Sequence, residues 1–252
     1  MKIQYASDLH LEFPENKAYL GRAPLQAEGD ILLLAGDIVP INQMDSHGDF
    51  FRYLSDNFSE TYWLPGNHEY YHSDIDQTGG YINERIRGNI RMVNNTSVKR
   101  GNTELIFSTL WTKISHENQL EIVMRFSDFH VINYKGRNLE VRYYNQLHKQ
   151  SLLFLRNLLA GETTGFRIVI THHAPTFINY PEELLGDPLS EAFAVELKDI
   201  ISATGPDYWI YGHSHLNNID FNIGNTRMLS NTLGYVRFNE QGHFSRSKVI
   251  EI

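Results

Sequence analysis

The stretch "DYWIYGHSH" (207–215) sets four bulky residues, Tyr208 to Tyr211, directly against Gly212-His213-Ser214-His215. A run of aromatic and aliphatic residues without polar alternation reads as a strand covered on both faces. Two imidazoles around a small serine at its end are either a capped turn or half of a metal site. The rest of the chain decides between these. Four further apolar runs end in a similar way. "KIQYA" (2–6) leads into Asp8-Leu9-His10, "DILLLA" (30–35) into Gly36-Asp37, "ETYWL" (60–64) into Gly66-Asn67-His68-Glu69, and "FRIVI" (166–170) into His172-His173. In open α/β sheets, ligands bind just beyond the carboxyl ends of the strands. An Asp-x-His or His-x-His pair leaving a strand is expected to send both side chains to one side, because strand side chains repeat every two residues. The neighbouring glycines permit a sharp turn and leave room for an ion.

Between these strands, helices are expected at roughly 48–58, 78–87, 143–160 and 190–202. In the third, Leu147, Leu152, Leu155, Leu158 and Leu159 form a stripe near helical spacing, which is core packing. The basic residues from Arg85 to Arg91 read as the solvated end of a helix. Residues 217–231 hold two strand-like segments around Gly224-Asn225, a hairpin signal, and 246–252 reads as a closing strand. The segment 112–141 fits neither period and is expected to be an insertion that caps something. With no repeat, low-complexity tract or linker, one domain over 1–252 is expected.

Composition narrows the function. The chain is 41% hydrophobic and 21% charged, an ordinary globular balance. Its net charge of −8, with no block of Lys or Arg, argues against long nucleic acid as a partner. No apolar stretch approaches the ~20 residues needed to span a bilayer, so no membrane partner is expected. The opening "MKIQYASDLH" has no signal-peptide apolar stretch, and cytoplasm is the expected location. There is no cysteine, so any metal must sit on His, Asp, Glu or Asn. Such a set accepts manganese, iron, zinc, cobalt or nickel, with manganese the first expectation.

Asp8, His10, Asp37, Asn67, one or both of His172 and His173, His213 and His215 suit a pair of divalent ions. Asp37 stands alone after its strand, as a carboxylate bridging two ions would. Asn67 offers a neutral oxygen, which limits negative charge and leaves the site net positive for an anionic substrate.

This series resembles the calcineurin-like metallophosphoesterase superfamily. Asp8-x-His10, Gly36-Asp37, Gly66-Asn67-His68-Glu69, His172 and Gly212-His213-Ser214-His215 stand in that family's order. The resemblance implies an α/β fold of two packed mixed β-sheets flanked by helices, with the metals at the sheet edge. It implies one ion on Asp8, His10, Asp37 and His215, and a second on Asp37, Asn67, His172 and His213. His172 is assigned as the first residue after the strand and its Thr171, with His173 the alternative. His68 becomes the catalytic histidine, held by an acidic partner that is plausibly an Asp elsewhere in the chain. The implied reaction is hydrolysis of a small phosphorylated substrate, a phosphate mono- or diester. A hydroxide shared by the ions attacks phosphorus, and His68 serves the leaving group.

The other candidates have plainer readings. His47, His116, His148 and His243 read as surface residues, while His72 and His130 are candidates to approach the site. Tyr70, Tyr71, Phe177 and Tyr180 either stack on a substrate or pack their loops. Glu69 reads as a supporting acid, and Asp128 and Arg142 read as charges facing solvent, with a substrate contact the alternative. A non-catalytic scaffold of the same fold is the alternative to an enzyme. Such a scaffold is expected to lose ligands or the catalytic histidine, and here all of them stand. Serine-hydrolase, phosphate-loop and zinc-protease motifs are absent from the sequence.

Overall fold

A computed structural model of the protein describes residues 1–162, 164–217 and 219–252, with all their side chains except those of Gln77 and Glu183. Asn218, within the expected 217–231 hairpin, lies outside the described residues. The first half carries strands β1 (Lys2–Ala6), β2 (Ile31–Ala35), β3 (Glu60–Leu64), β4 (Ile82–Arg87), β5 (Ile90–Asn94), β6 (Thr96–Arg100) and β7 (Thr103–Ser108). The second half carries β8 (Asn133–Tyr134), β9 (Arg137–Asn138), β10 (Phe166–Thr171), β11 (Tyr208–Tyr211), β12 (Phe221–Ile223), β13 (Thr226–Ser230) and β14 (Val249–Glu251). Two six-stranded sheets result, in the orders β14-β1-β2-β3-β5-β4 and β12-β13-β11-β10-β7-β6, with β8 and β9 as a separate small hairpin. The inner strands of each sheet are parallel, and antiparallel strands close both edges.

The continuous apolar runs are explained by what covers each face. In β2, Ile31, Leu33 and Ala35 pack towards the second sheet, with Phe107, Ile168, Ile170 and Ile210 in the same core. Leu32 and Leu34 of the same strand pack in a core with Leu20, Phe51 and Leu54. Those three lie on helices α1 (Pro14–Arg22) and α2 (Gly48–Asn57). Alternate residues of one strand therefore serve two cores, which leaves no position for a polar side chain.

The segment 112–141 forms helices α3 (Gln119–Arg125) and α4 (Asp128–Val131) and the small β8–β9 hairpin. It has its own apolar cluster, in which Ile122, Phe126, Phe129 and Ile132 meet Tyr70, Trp111 and Tyr144. Tyr144 lies on α5 (Val141–Leu159), which matches the expected third helix.

Three expectations are corrected. Residues 78–87 are not helical: Ile82–Arg87 is the edge strand β4, paired with β5 across a turn at Gly88. Ile82 and Ile86 are four apart, which mimics helical spacing, but Gly88 has φ +44° and closes a hairpin instead. Arg85 and Arg91 consequently face each other across this hairpin. The helix expected at 190–202 is broken into α6 (Ser190–Phe193) and α7 (Lys198–Thr204). Between them the chain turns extended, and Val195 N–H donates to Ala174. Finally, His47 and His148 are buried, the latter with Nδ1 against the Trp111 carbonyl. His116 and His243 are exposed as expected.

Candidate metal centre

The five segments meet at one edge. Asp8 and His10 follow β1, Asp37 follows β2, Asn67 and His68 follow β3, His172 follows β10, and His213 and His215 follow β11. Main-chain bonds lash these loops together: Asp8 N–H donates to Gly36, His10 N–H to Asp37, and Gly212 N–H to His172. The backbone there departs from strand geometry. Asp8, His10, Asp37, His213 and His215 all have positive φ, between 47° and 68°. Residues with side chains rarely adopt that region, and each instance costs on the order of 1–3 kcal/mol. In the loops after β1, β2 and β11 the side chains therefore converge through left-handed backbone, and not through the two-residue strand alternation. His213 and His215 go to different groups: His215 joins Asp8 and His10, while His213 joins Asp37 and His172. Asn67 is also not extended; its φ of −81° and ψ of −35° begin the short 3-10 turn His68–Tyr70.

Close approach requires glycine at two of these turns. A Cβ on Gly66 would lie 2.2 Å from Asp37 Oδ1, and one on Gly212 2.5 Å from Asp8 Oδ2.

Hydrogen bonds at the rim fix which atoms face inward. His10 Nδ1–H donates to Glu12 Oε1 at 3.0 Å, and His215 Nδ1–H donates to Glu240 Oε2 at 2.7 Å. Their Nε2 lone pairs then face each other at 3.0 Å. His172 Nδ1–H donates to the Ala35 carbonyl and His213 Nε2–H to the Ala192 carbonyl. That leaves His172 Nε2 and His213 Nδ1 as lone pairs 3.1 Å apart. Asn67 spends its amide N–H on Asp128 at 2.8 Å, so its oxygen points at His172 Nε2, 3.1 Å away. Lone pairs at this separation repel unless a proton or a metal cation lies among them: burial opposes charge, but Asp37 lifts His172 to about 9, and Asp8 and Glu240 lift His215 to about 10. The positive charge that these atoms call for is what a divalent ion supplies, and histidines held by such outer partners are the usual arrangement of metal ligands. The donor set therefore fits divalent ions.

Asp37 lies between the two groups. Its Oδ1 is 3.3 Å from His172 Nε2, and its Oδ2 is 3.8 Å from His10 Nε2. Burial pushes the Asp37 carboxyl up, but His172, His68 and His10 hold it well below the usual range. Burial likewise opposes ionisation of Asp8, and His215 and His172 overcome it. Two charged carboxylates in a buried site need positive charge beside them.

His173 takes a different place. Its Nδ1 lies against the Thr109 carbonyl, and burial and the adjacent His172 push its pKa down to about 3. It packs on Trp111 and His213 and is absent from the ligand groups among the described residues.

His68 stands beside the ligands. Its Nδ1–H donates at 2.9 Å to the same Glu12 Oε1 that serves His10. The acidic partner is thus a glutamate, not an Asp. Burial works against a charged His68, while Asp37 and Glu12 raise its pKa overall. Burial pushes Glu12 up, yet its bonds to His10 and His68 bring it down to about 2. The ring is stacked on Tyr71 with centroids 3.9 Å apart, and its Nε2 lies 3.4 Å from the Tyr235 hydroxyl.

Two more acids support the loops. Glu69 accepts from the N–H groups of Asp37, Ile38 and Gly66 and from Trp63 Nε1. Burial and Asp37 push it up to about 7, and those donors pull it back. Asp128 does not face solvent: it is fully buried and accepts from Asn67 and Tyr71. Arg142 does lie outside, paired with Glu140. His72 and His130 are exposed, and neither belongs to a ligand group among the described residues.

Glu12, Glu240 and Tyr235 are not singled out by the sequence, and Asp128 reads there as a surface charge. Glu12 alone had a signal, since it extends the alternation Asp8-x-His10-x-Glu12.

Clusters of carboxylate and imidazole groups at the edge of two mixed sheets, in a chain that the calcineurin-like phosphoesterase model matches, define a metal-dependent phosphoesterase with a dimetal site. The chain belongs to the calcineurin-like phosphoesterase family, whose model matches residues 1–217. An uncharacterized protein of Acanthamoeba polyphaga mimivirus is 29% identical over 281 residues, covering 99% of this chain and 96% of its own. Among solved structures, phosphopantetheinyl hydrolase of Mycobacterium tuberculosis superposes with a TM-score of 0.72 at 16% identity, covering 99% of this chain and 95% of that one. A dimetal phosphatase of Danio rerio gives 0.51 at 13% identity, covering 91% and 86%. These last two likenesses are of fold. Among the described residues, no helix is long and apolar enough to cross a membrane.

Proposed function

We propose that the protein hydrolyses a small phosphorylated substrate, a phosphate monoester or diester, in the cytoplasm, using two manganese ions. Asp8, His10, Asp37 and His215 hold one ion, and Asp37, Asn67, His172 and His213 hold the other. The observation that carries this reading is the pair of lone-pair clusters on either side of Asp37. Divalent ions at such a pair of sites lower the pKa of water and clamp phosphoryl oxygens. The carboxylate and amide oxygens in the set suit manganese, and the chain has no thiolate to favour a softer metal. The activities of the two structural relatives, a phosphopantetheinyl hydrolase and a dimetal phosphatase, agree with a phosphoester substrate.

The chain's own groups do the rest. His68 presents Nε2 towards the cavity beside Asp37 and gives a proton to the departing alkoxide. Glu12 fixes its tautomer, and the Tyr71 ring fixes its plane. The insertion 112–141 acts as a cap that also fixes Asn67 through Asp128.

The purified protein should hydrolyse p-nitrophenyl phosphate or a p-nitrophenyl diester with Mn²⁺, and a chelator should abolish turnover. Turnover indifferent to chelation would sink the proposal.

Glu12→Gln tests the support of His68. The amide side chain removes the charge that both imidazole N–H groups point at. Activity on an alkyl ester should fall about 10–100-fold, the usual cost of losing an outer partner of metal-site histidines. The metal concentration for half-maximal rate should also rise, because His10 shares the carboxylate. Rates and a metal titration equal to wild type would show that Glu12 holds nothing important.

A further inference from the structure

The cavity that includes the metal centre has a volume of about 490 Å³, room for a small organic molecule. Asp37, Asn67, His68, His213 and His215 form its polar end. The rest of the lining includes an apolar wall of Phe126 from the insertion with Tyr180, Leu184, Leu189, Phe193 and Leu216, which begins where Phe126 and Phe193 pack on each other and on His213. A second phosphoryl group would need a cation there. Arg125 is the one Lys or Arg among the described lining residues, and it is already taken. Asp187 grips its guanidinium through both oxygens, at 3.2 and 3.1 Å, and Glu121 binds the same Nη1. Two carboxylates on one guanidinium leave that rim net negative. Ion pairs at half-exposed positions add little stability, but their charge still repels an incoming anion.

We infer that the substrate carries a single phosphoryl group joined to an uncharged, partly apolar arm that lies along this wall, and that nucleotide-like polyphosphates are excluded. The inference rests on the phosphoesterase reading and deepens it. The arm buries apolar surface against Leu184, Leu189 and Phe193, while the phosphoryl group reaches the ligand residues. Leu184 sits at the opening, 41% exposed on the 3-10 turn Glu182–Leu184, where a substitution leaves the core untouched.

The test is calorimetric binding of three phosphonates to the Mn²⁺-loaded protein, alongside turnover of the p-nitrophenyl esters. The ligands are methylphosphonate, hexylphosphonate, and the six-carbon chain with a phosphonate at each end. Hexylphosphonate should bind at least about tenfold tighter than methylphosphonate, equivalent to roughly two buried methylene groups. The second phosphonate should cancel that gain. Leu184→Glu should shrink the hexyl-to-methyl ratio. Equal binding of the methyl and hexyl compounds, or tighter binding of the doubly charged chain, overturns the inference while ester turnover leaves the phosphoesterase reading standing. No turnover and no phosphonate binding would overturn both.

Discussion

Asp37→Asn should empty both halves of the metal centre and lower phosphoester hydrolysis by about 10²- to 10⁴-fold. One oxygen of Asp37 faces the His172 group and the other faces His10 and His68. An amide keeps only one oxygen, and its NH₂ would point at whichever ion the other oxygen had faced. The substitution also removes one of the two carboxylates in the proposed ligand set. Removing one partner from a buried charged set costs on the order of 3–5 kcal/mol, and each 1.4 kcal/mol is about tenfold in rate. The fold should survive, because the amide is isosteric and the remaining Oδ1 still accepts the His68 N–H. Metal analysis of the purified variant checks this directly. Two ions per chain and an unchanged rate would show that Asp37 is not shared.

His68→Ala should give the opposite pattern, with metal retained and chemistry lost. His68 is absent from the groups Asp8, His10, His215 and Asp37, His172, His213, and its Nδ1 is engaged by Glu12. Loss of a general acid costs about 10²–10⁴-fold in kcat. An alkyl ester, whose alkoxide needs a proton, should show the full loss. A p-nitrophenyl ester, which departs as an anion, should show much less. His172→Ala should instead weaken one ion and raise the metal concentration required for activity. The check is metal stoichiometry with kcat for one good and one poor leaving group. Equal losses on the two esters would remove the acid role and leave His68 as a group that positions phosphate. Loss of an ion would make it a ligand: Glu12, His10 and His68 themselves form a third cluster of possible ligand atoms.

The parts of this site that were legible in the sequence share a cause. Each ligand loop follows a strand buried on both faces, so the polar residue after "ILLLA" or "YWIY" stands out against a wholly apolar run. What the sequence hid was tertiary. Asp128 reads as one more acid on an irregular stretch, and only the packing of Phe126 and Phe129 buries it against Asn67. Glu240 reaches His215 across 25 residues with no pattern between them. The edge strand β4 was hidden for a local reason, since two isoleucines four apart fit a helix as well as a twisted hairpin. The means of convergence is hidden too: left-handed backbone at Asp8, His10, Asp37, His213 and His215, which no residue type there announces, takes the place of strand alternation in those loops.

The most direct test of the account is anomalous diffraction from crystals grown with Mn²⁺. Two peaks should appear on either side of Asp37, about 3.5–4 Å apart as in two-metal sites generally. One should lie among Asp8, His10 and His215, and the other among Asn67, His172 and His213. A single peak, or a peak enclosed by His10, Glu12 and His68 with Asp37 left free, would contradict the shared-aspartate centre on which the account depends.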